Sequence, residues 1–260
     1  MQVSISNAVL KQGLGALFCA LVSFVLVLVL ARHLGTGMFG QYVSVLNGVT
    51  VGLILLEGGW PNWLYRERAA TQGRDWQALM RHGVAHVVLA TGGALILSAG
   101  LSSGVASPWV AAWACMGAVA LMNLVSARMR GAGHFGLEAL WQSAGRVVSA
   151  AGILWVLWAM QAASVAAVFW AWAGGLAVVV IAGARTWLLR PRWRGLLAAY
   201  PQALTFVVMA LGGAWLLKGD MVLLGRLSAD NGSLLQADAL SFYAACTRIT
   251  ELGVLLYAPL

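Results

Sequence analysis

Seven long apolar stretches run through the chain, each bounded by turn residues or arginines, and an eighth begins before the last residue. The hydrocarbon core of a bilayer is about 30 Å thick and takes about 20 apolar residues per helix. Most of the stretches have this length, and the fifth is expected to take in part of residues 137–145. The pattern predicts membrane-spanning helices over residues 14–31, 42–64, 83–101, 109–125, 147–160, 162–184 and 202–225.

The composition supports the same class of protein. Hydrophobic residues make up 61% of the chain and charged residues 9%, whereas charged residues make up about 25% of a soluble domain. We therefore expect an all-α integral membrane protein, a polytopic helix bundle. Cys19, Cys115 and Cys246 lie in or beside different predicted helices without metal-ligand spacing, so neither disulfides nor a metal site are predicted.

The positive charges are concentrated in alternate connections between the predicted helices. Cytoplasmic loops of membrane proteins carry an excess of lysine and arginine, so these connections and the amino terminus with Lys11 are predicted to be cytoplasmic. This bias accounts for the net charge of +8 without a nucleic-acid partner. The arginines assigned to the connections are Arg66, Arg68, Arg74, Arg81, Arg128, Arg130, Arg146, Arg185, Arg190, Arg192 and Arg194.

The end of predicted helix two carries a helix-breaking sequence. Residues 57–61 read Glu-Gly-Gly-Trp-Pro, and proline removes a backbone donor and clashes with the preceding turn. We therefore expect a broken or bent helix at this point.

A weak internal repeat relates the start of the chain to its end. VLVLARHLG followed by FGQYVSVLNGV is similar to DMVLLGRLS followed by SFYAACTRITEL, which aligns Arg32 with Arg226 and Tyr42 with Tyr243. Duplication of a six-helix unit, common in transporters, gives such a pattern. We expect one six-helix lobe over residues 1–195 and the start of a second lobe over 196–260, formed by helix seven and part of helix eight. The chain is therefore expected to be truncated.

Three stretches carry a resemblance to a known family. The first is LARHLGTGMFGQYVSVLNGVTVGLILLEGG, the second is the basic segment 66–70, and the third runs from Asp220 to Arg248. They are similar to the Wzx-type flippases of bacterial inner membranes, whose superfamily also contains multidrug exporters. In the first stretch, Leu34 and Gly35 match the family's outer turn between helices one and two.

The resemblance implies a function for the chain. It implies translocation of an undecaprenyl-diphosphate-linked oligosaccharide to the outer leaflet of the bacterial inner membrane, by alternating access of two lobes, for surface polysaccharides such as O-antigen or exopolysaccharide. The implied partners are membrane lipids, the lipid-linked glycan, a polysaccharide polymerase and other biosynthesis proteins. No cofactor is expected, and coupling to H⁺ or Na⁺ stays open.

Ionisable groups within spans are costly and are functional candidates by default. Arginine suits a pyrophosphate because its planar fork makes bidentate, charge-assisted contacts. The alternative for these groups is structural ion pairing or extension to the membrane interface, and His86 is expected to be a hydrogen-bonded packing residue. The candidates for substrate binding or gating are Arg32, Glu57, Lys218, Asp220, Arg248 and Glu251.

The sequence is also compatible with one other function and disfavours several more. A multidrug or other small-molecule exporter shares the layout and is the main alternative. A membrane glycosyltransferase or acyltransferase needs paired acids or a histidine with an acid, and the loop histidines and acids are scattered without such spacing. No GxxxxGK[ST] sequence appears, which disfavours an ATP-driven pump. No enzyme activity and no catalytic residue are therefore predicted.

Overall fold

The computed structural model describes residues 5–70, 75–101, 104, 106–159, 164–188 and 190–231. These residues form an all-α bundle, which confirms the predicted fold class. The helices are α1 Ile5–Glu57, α2 Trp60–Ala70, α3 Asp75–Leu101, α4 Pro108–Gly131, α5 Phe135–Trp158, α6 Val165–Leu188 and α7 Leu196–Asn231.

All of these helices except the short α2 are long and apolar enough to cross a membrane. Their outward faces carry large apolar side chains: Ile96 is 74% exposed, Leu97 67% and Trp155 67%. Such surfaces suit contact with lipid rather than water. The protein is therefore a multi-pass membrane protein.

Helix α1 consists of two spanning segments joined at Gly35. As one straight helix its 53 residues would measure about 80 Å, far more than the bilayer core of about 30 Å. Gly35 has φ 70° and ψ 172°, which interrupts the helix. Glycine adopts a positive φ without steric cost. Two membrane spans therefore share this element.

Contacts with α5 give the direction of the first half of α1. Gly15 lies against Ala139, and the Cys19 Sγ lies 3.8 Å from the Ser143 Oγ. From the first contact to the second, the residue number rises by four in both helices. This half of α1 therefore runs parallel to α5.

Contacts with α4 give the direction of the second half. Gly48 lies against the Trp109 ring and Gly52 against the Trp113 ring, so this half runs parallel to α4. The turn at residues 132–134 joins α4 to α5 and makes them antiparallel. The two halves of α1 therefore run in opposite directions. The chain reverses at Gly35, where the sequence resemblance places a turn between helices one and two.

The start of α5 confirms one expectation and corrects another. The helix begins at Phe135, so the fifth span does include residues 137–145. The placement of Arg146 in the connection between helices four and five is wrong, because this residue lies in the interior of α5. The polar residues Gln142, Ser143 and Arg146 interrupt the apolar run without ending the helix.

The predicted break in helix two is confirmed. Helix α1 ends at Glu57 and α2 begins at Trp60, and the two glycines between them have positive φ values of 56° at Gly58 and 75° at Gly59. Pro61 falls in the first turn of α2, where its missing N–H has no helical acceptor to lose. Gly59 packs against α7, where it faces Ala203 and Phe206.

The enclosed part of the bundle is centred on α4. Ala111, Ala112, Cys115 and Ala120 of this helix are fully buried. Small residues let neighbouring helices approach closely within a membrane, and α4 has neighbours in α1, α2, α3, α5 and α6. Its polar side chains are therefore held between helices.

The described arginines lie mostly at one end of the bundle, which we call the basic end. It is formed by the end of α2, the start of α3, the turn between α4 and α5, and the segment between α6 and α7. The arginines there are Arg66, Arg68, Arg81, Arg128, Arg130, Arg190, Arg192 and Arg194. Arg32 lies at the opposite end, one turn before Gly35.

Candidate functional site

A stripe of polar side chains lies where α4 and α5 face each other. Residues spaced by three or four positions share one face of a helix, and the polar residues of both helices have this spacing. Together with the carboxylate at the end of α1, they form what we call the polar seam. The polar seam consists of Glu57, Asn123, Ser126, Arg130, Glu138, Gln142 and Arg146.

Hydrogen bonds join α4 to α5 within the seam. The Ser126 hydroxyl donates to Glu138 Oε1 at 2.8 Å, and the Gln142 amide donates to the Ser126 Oγ at 2.8 Å. The Arg130 Nε lies 3.9 Å from Glu138 Oε1. Because Glu138 is only 7% exposed, these partners offset the cost of burying its charge.

Glu57 joins the seam from α1. The Asn123 side-chain amide donates to Glu57 Oε1 at 2.6 Å. Asn123 lies about 12 Å along the helix axis from the end of α4, which places this pair inside the span. Glu57 immediately precedes the break at Gly58. A polar contact is thus placed next to the break between α1 and α2.

Arg146 lies halfway along α5, with 11 residues before it and 12 after it in the helix. Its guanidinium carbon lies 5.8 Å from the centre of the Trp172 ring on α6. Among the described side chains, no carboxylate lies within 4.0 Å of this guanidinium. A charge at the middle of a span is costly unless water or an anion accompanies it.

The direction of Arg146 follows from the pattern of α5. Leu140, Val147 and Trp155 form the exposed apolar face of this helix, at 65%, 46% and 67% exposure. Arg146 precedes Val147 by one residue, a rotation of about 100°, and it follows Gln142 by one helical turn. Its side chain is exposed on the side of the seam rather than on the apolar face.

An open groove lies between α2 and α7. Its volume is about 760 Å³, and the Arg66 guanidinium carbon lies 5.4 Å from the Phe206 ring centre beside it. The surface of the groove is mainly apolar, with cationic and amide groups on the α2 side. The residues lining it are Asn62, Tyr65, Arg66, Ala69, Ala70, Phe206, Met209 and Ala210.

The structure separates the candidates named from the sequence. Glu57 lies in the seam, whereas Arg32 is exposed at the other end of the bundle. Lys218 and Asp220 lie on α7, and their side chains are not among those described. The remaining two candidates, Arg248 and Glu251, lie outside the described residues.

His86 is a packing residue, as predicted. Its Nδ1 lies 2.8 Å from the Tyr200 hydroxyl on α7, and its Nε2 lies 3.0 Å from the Leu55 carbonyl oxygen on α1. The ring also touches Gly58. His86 therefore connects three helices at the break.

Sequence reasoning missed most of the seam. From the sequence, Arg146 is placed in a connection, and Asn123, Glu138 and Gln142 are not named as candidates. The signal that could have found them is the four-residue spacing of Glu138, Gln142 and Arg146, which indicates one polar face along a helix. Among the described residues, no three histidine, cysteine or acidic side chains are grouped as they are at a metal centre.

Comparison of the chain with protein-family models, with curated proteins and with solved structures gave no match.

Proposed function

We propose that the protein is a Wzx-type transporter that moves an undecaprenyl-diphosphate-linked oligosaccharide across the bacterial inner membrane. In this proposal the basic end and the amino terminus are cytoplasmic, following the charge bias of membrane proteins. The observation that carries the proposal is Arg146, a cation at the middle of a span that faces the seam with no carboxylate beside it among the described side chains.

The task requires polar groups inside the membrane. A sugar and a pyrophosphate cannot cross hydrocarbon unaided, because each unpaired polar group costs several kcal/mol there. The seam supplies amide donors from Asn123 and Gln142 and two guanidinium groups. Such a surface can replace part of the water around a polar head group while the lipid tail stays in the bilayer.

The two seam arginines have different roles in this proposal. Arg130 lies beside Glu138, so its charge is partly balanced and it serves to position that carboxylate. Arg146 can bind the pyrophosphate with two parallel N–H groups. Glu57, hydrogen-bonded beside the helix break, is our candidate for a coupling H⁺ or Na⁺. No enzyme activity is proposed.

The carboxylates of the seam favour a second candidate. Glu57 and Glu138 both lie within spans, and acidic groups in such positions suit a cationic substrate. A multidrug or small-molecule exporter of the same superfamily would use them in place of Arg146. The two candidates therefore differ in which charge is essential.

Substitution of Arg146 tests the proposal in a bacterium whose surface polysaccharide depends on this protein. Arg146→Ala should abolish the surface polysaccharide at normal protein levels. Arg146→Lys should be partly active, because the lysine ammonium keeps the positive charge but cannot make the two parallel hydrogen bonds of a planar guanidinium. Arg190→Ala, at an exposed position of the basic end, is the control and should export normally. Normal export by Arg146→Ala would refute the proposal. Loss of resistance to cationic drugs with Glu57→Gln, with polysaccharide unchanged, would favour the exporter.

A further inference from the structure

Four stacked aromatic rings, which we call the aromatic column, lead through the bundle to Arg146. The rings of Phe39 and Tyr42 on α1 have centres 6.2 Å apart, and those of Tyr42 and Phe169 have centres 5.2 Å apart. The rings of Phe169 and Trp172 on α6 have centres 6.4 Å apart and planes that differ by 9°. At the end of the column, the Arg146 guanidinium carbon lies 5.8 Å from the Trp172 ring centre, within the range of a cation–π contact.

Close contact between α5 and α6 holds the Trp172 backbone beside Arg146. A methyl group added at Gly175 of α6 would lie 2.6 Å from the Ser149 Cα of α5, so the glycine lets the two backbones approach closely. The Ser149 hydroxyl also donates to the Trp172 carbonyl oxygen at 3.4 Å. Ser149 follows Arg146 by three positions, so the two residues lie on the same side of α5. The contact therefore fixes Trp172 next to the arginine.

The ring of Trp172 is held by the rest of the column. Phe169, on which it stacks, is 0% exposed, and Tyr42, the next ring, is 3% exposed. Side chains in such close-packed surroundings are held in single rotamers by their neighbours. Arg146, by contrast, is exposed and has a long, flexible side chain. The rigid indole therefore determines where its guanidinium lies.

An aromatic ring is a suitable partner for a cation that must also bind an anion. A guanidinium over a ring is attracted by the negative face of the π system, and its N–H groups remain available as donors. A carboxylate partner would instead occupy two of those donors. Among the described side chains, no carboxylate lies within 4.0 Å of Arg146. Trp172 thus offsets part of the charge without competing for the ligand.

We propose that Trp172 is a positioning residue for anion binding by Arg146. The inference rests on the proposed function, in which Arg146 binds the diphosphate of the lipid-linked substrate. The indole holds the planar guanidinium so that two parallel N–H groups are directed at the diphosphate. An arginine without this support loses more rotamer freedom when it binds. The supported guanidinium therefore binds the diphosphate more tightly.

Binding of undecaprenyl diphosphate to the purified protein, measured by native mass spectrometry at a series of lipid concentrations, tests this role. Arg146→Ala should weaken binding about tenfold or more. Trp172→Leu should weaken it about fivefold, the usual strength of a partly desolvated cation–π contact, and Trp172→Phe keeps an aromatic face and should lose less. Trp170→Leu removes an indole that is 41% exposed on the same helix and should bind as wild type does.

Two further measurements separate positioning from packing. In the Arg146→Ala background, Trp172→Leu should cause no further loss of binding, because the ring acts through that arginine. Fluorine NMR of protein labelled with fluorotryptophan follows the contact itself. The resonance that disappears in Trp172→Phe should shift in folded Arg146→Ala, whereas the resonance that disappears in Trp170→Leu should not. The NMR comparison decides the contact even where Trp172→Leu does not fold.

Four results would overturn the inference, and they distinguish it from the proposed function. Unchanged binding in folded Trp172→Leu, with loss in Arg146→Ala, would remove the role of the ring and leave the proposed function intact. Equal losses from Trp172→Leu with and without Arg146 would show that the ring acts by packing. An unshifted Trp172 resonance in Arg146→Ala would contradict the contact. Unchanged binding in Arg146→Ala would refute the proposed function and the inference together.

Discussion

Substitution of Gly59 by alanine should destabilise the protein strongly, because two costs coincide there. The residue has φ 75°, a left-handed conformation that costs a non-glycine residue about 1–2 kcal/mol. A methyl group would also lie 2.9 Å from the Phe206 Cβ and 3.2 Å from the Val207 nitrogen, and it would collide with the Ala203 carbonyl oxygen. Such overpacking typically costs about 1–3 kcal/mol. The expected loss of unfolding free energy is therefore about 2–5 kcal/mol.

Gly133 provides a matched control for the conformational part of this cost. It has φ 76°, and a methyl group there would meet nothing within 4 Å. Gly133→Ala should therefore lose only about 1–2 kcal/mol. Unfolding of both variants in detergent by titration with dodecyl sulfate, followed by circular dichroism, gives the comparison. Equal losses in the two variants would contradict the packing of α7 against the break in helix two.

Two further predictions concern the seam and the orientation. Asn123→Leu leaves the Glu57 carboxylate without its hydrogen-bond donor and should cost about 1–3 kcal/mol of unfolding free energy. The control Asn62→Leu, at an exposed position of α2, should cost little. Equal losses for the two variants in the same titration would contradict the pairing of Asn123 with Glu57. For the orientation, a single cysteine at Arg192 should be shielded from an impermeant thiol reagent in intact cells, and one at Ala106 should react. Labelling of the first without permeabilisation would place the basic end outside.

The helical fold was predictable because apolar length is the dominant signal in a membrane chain. A span needs about 20 apolar residues whatever its detailed packing. The length of the apolar stretches therefore predicts the helices even where it does not predict the residues at which they end. The break at Gly58 was predictable for a local reason, since glycines next to a proline weaken the helical hydrogen-bond ladder.

The seam was not predicted, because hydropathy alone treats a charge as a sign of a loop. Arg146 interrupts an apolar stretch, and only the spacing of Glu138, Gln142 and Arg146, not their hydropathy, indicates that the helix continues through it. The pairing of Glu57 with Asn123 joins residues 66 positions apart in the chain. The spacing of residues within a single helix cannot predict a contact between two helices.

The reactivity of a cysteine at position 146 tests most directly whether the seam is a water-accessible anion-binding surface within the membrane. In protein whose native cysteines are replaced by serine, Arg146→Cys in membranes should react with a hydrophilic thiol reagent, and undecaprenyl diphosphate should slow the reaction of a cysteine there. Val147→Cys lies at the same depth on the exposed apolar face of α5 and should stay unreactive. Equal reactivity at the two positions, or none at position 146, would contradict the account.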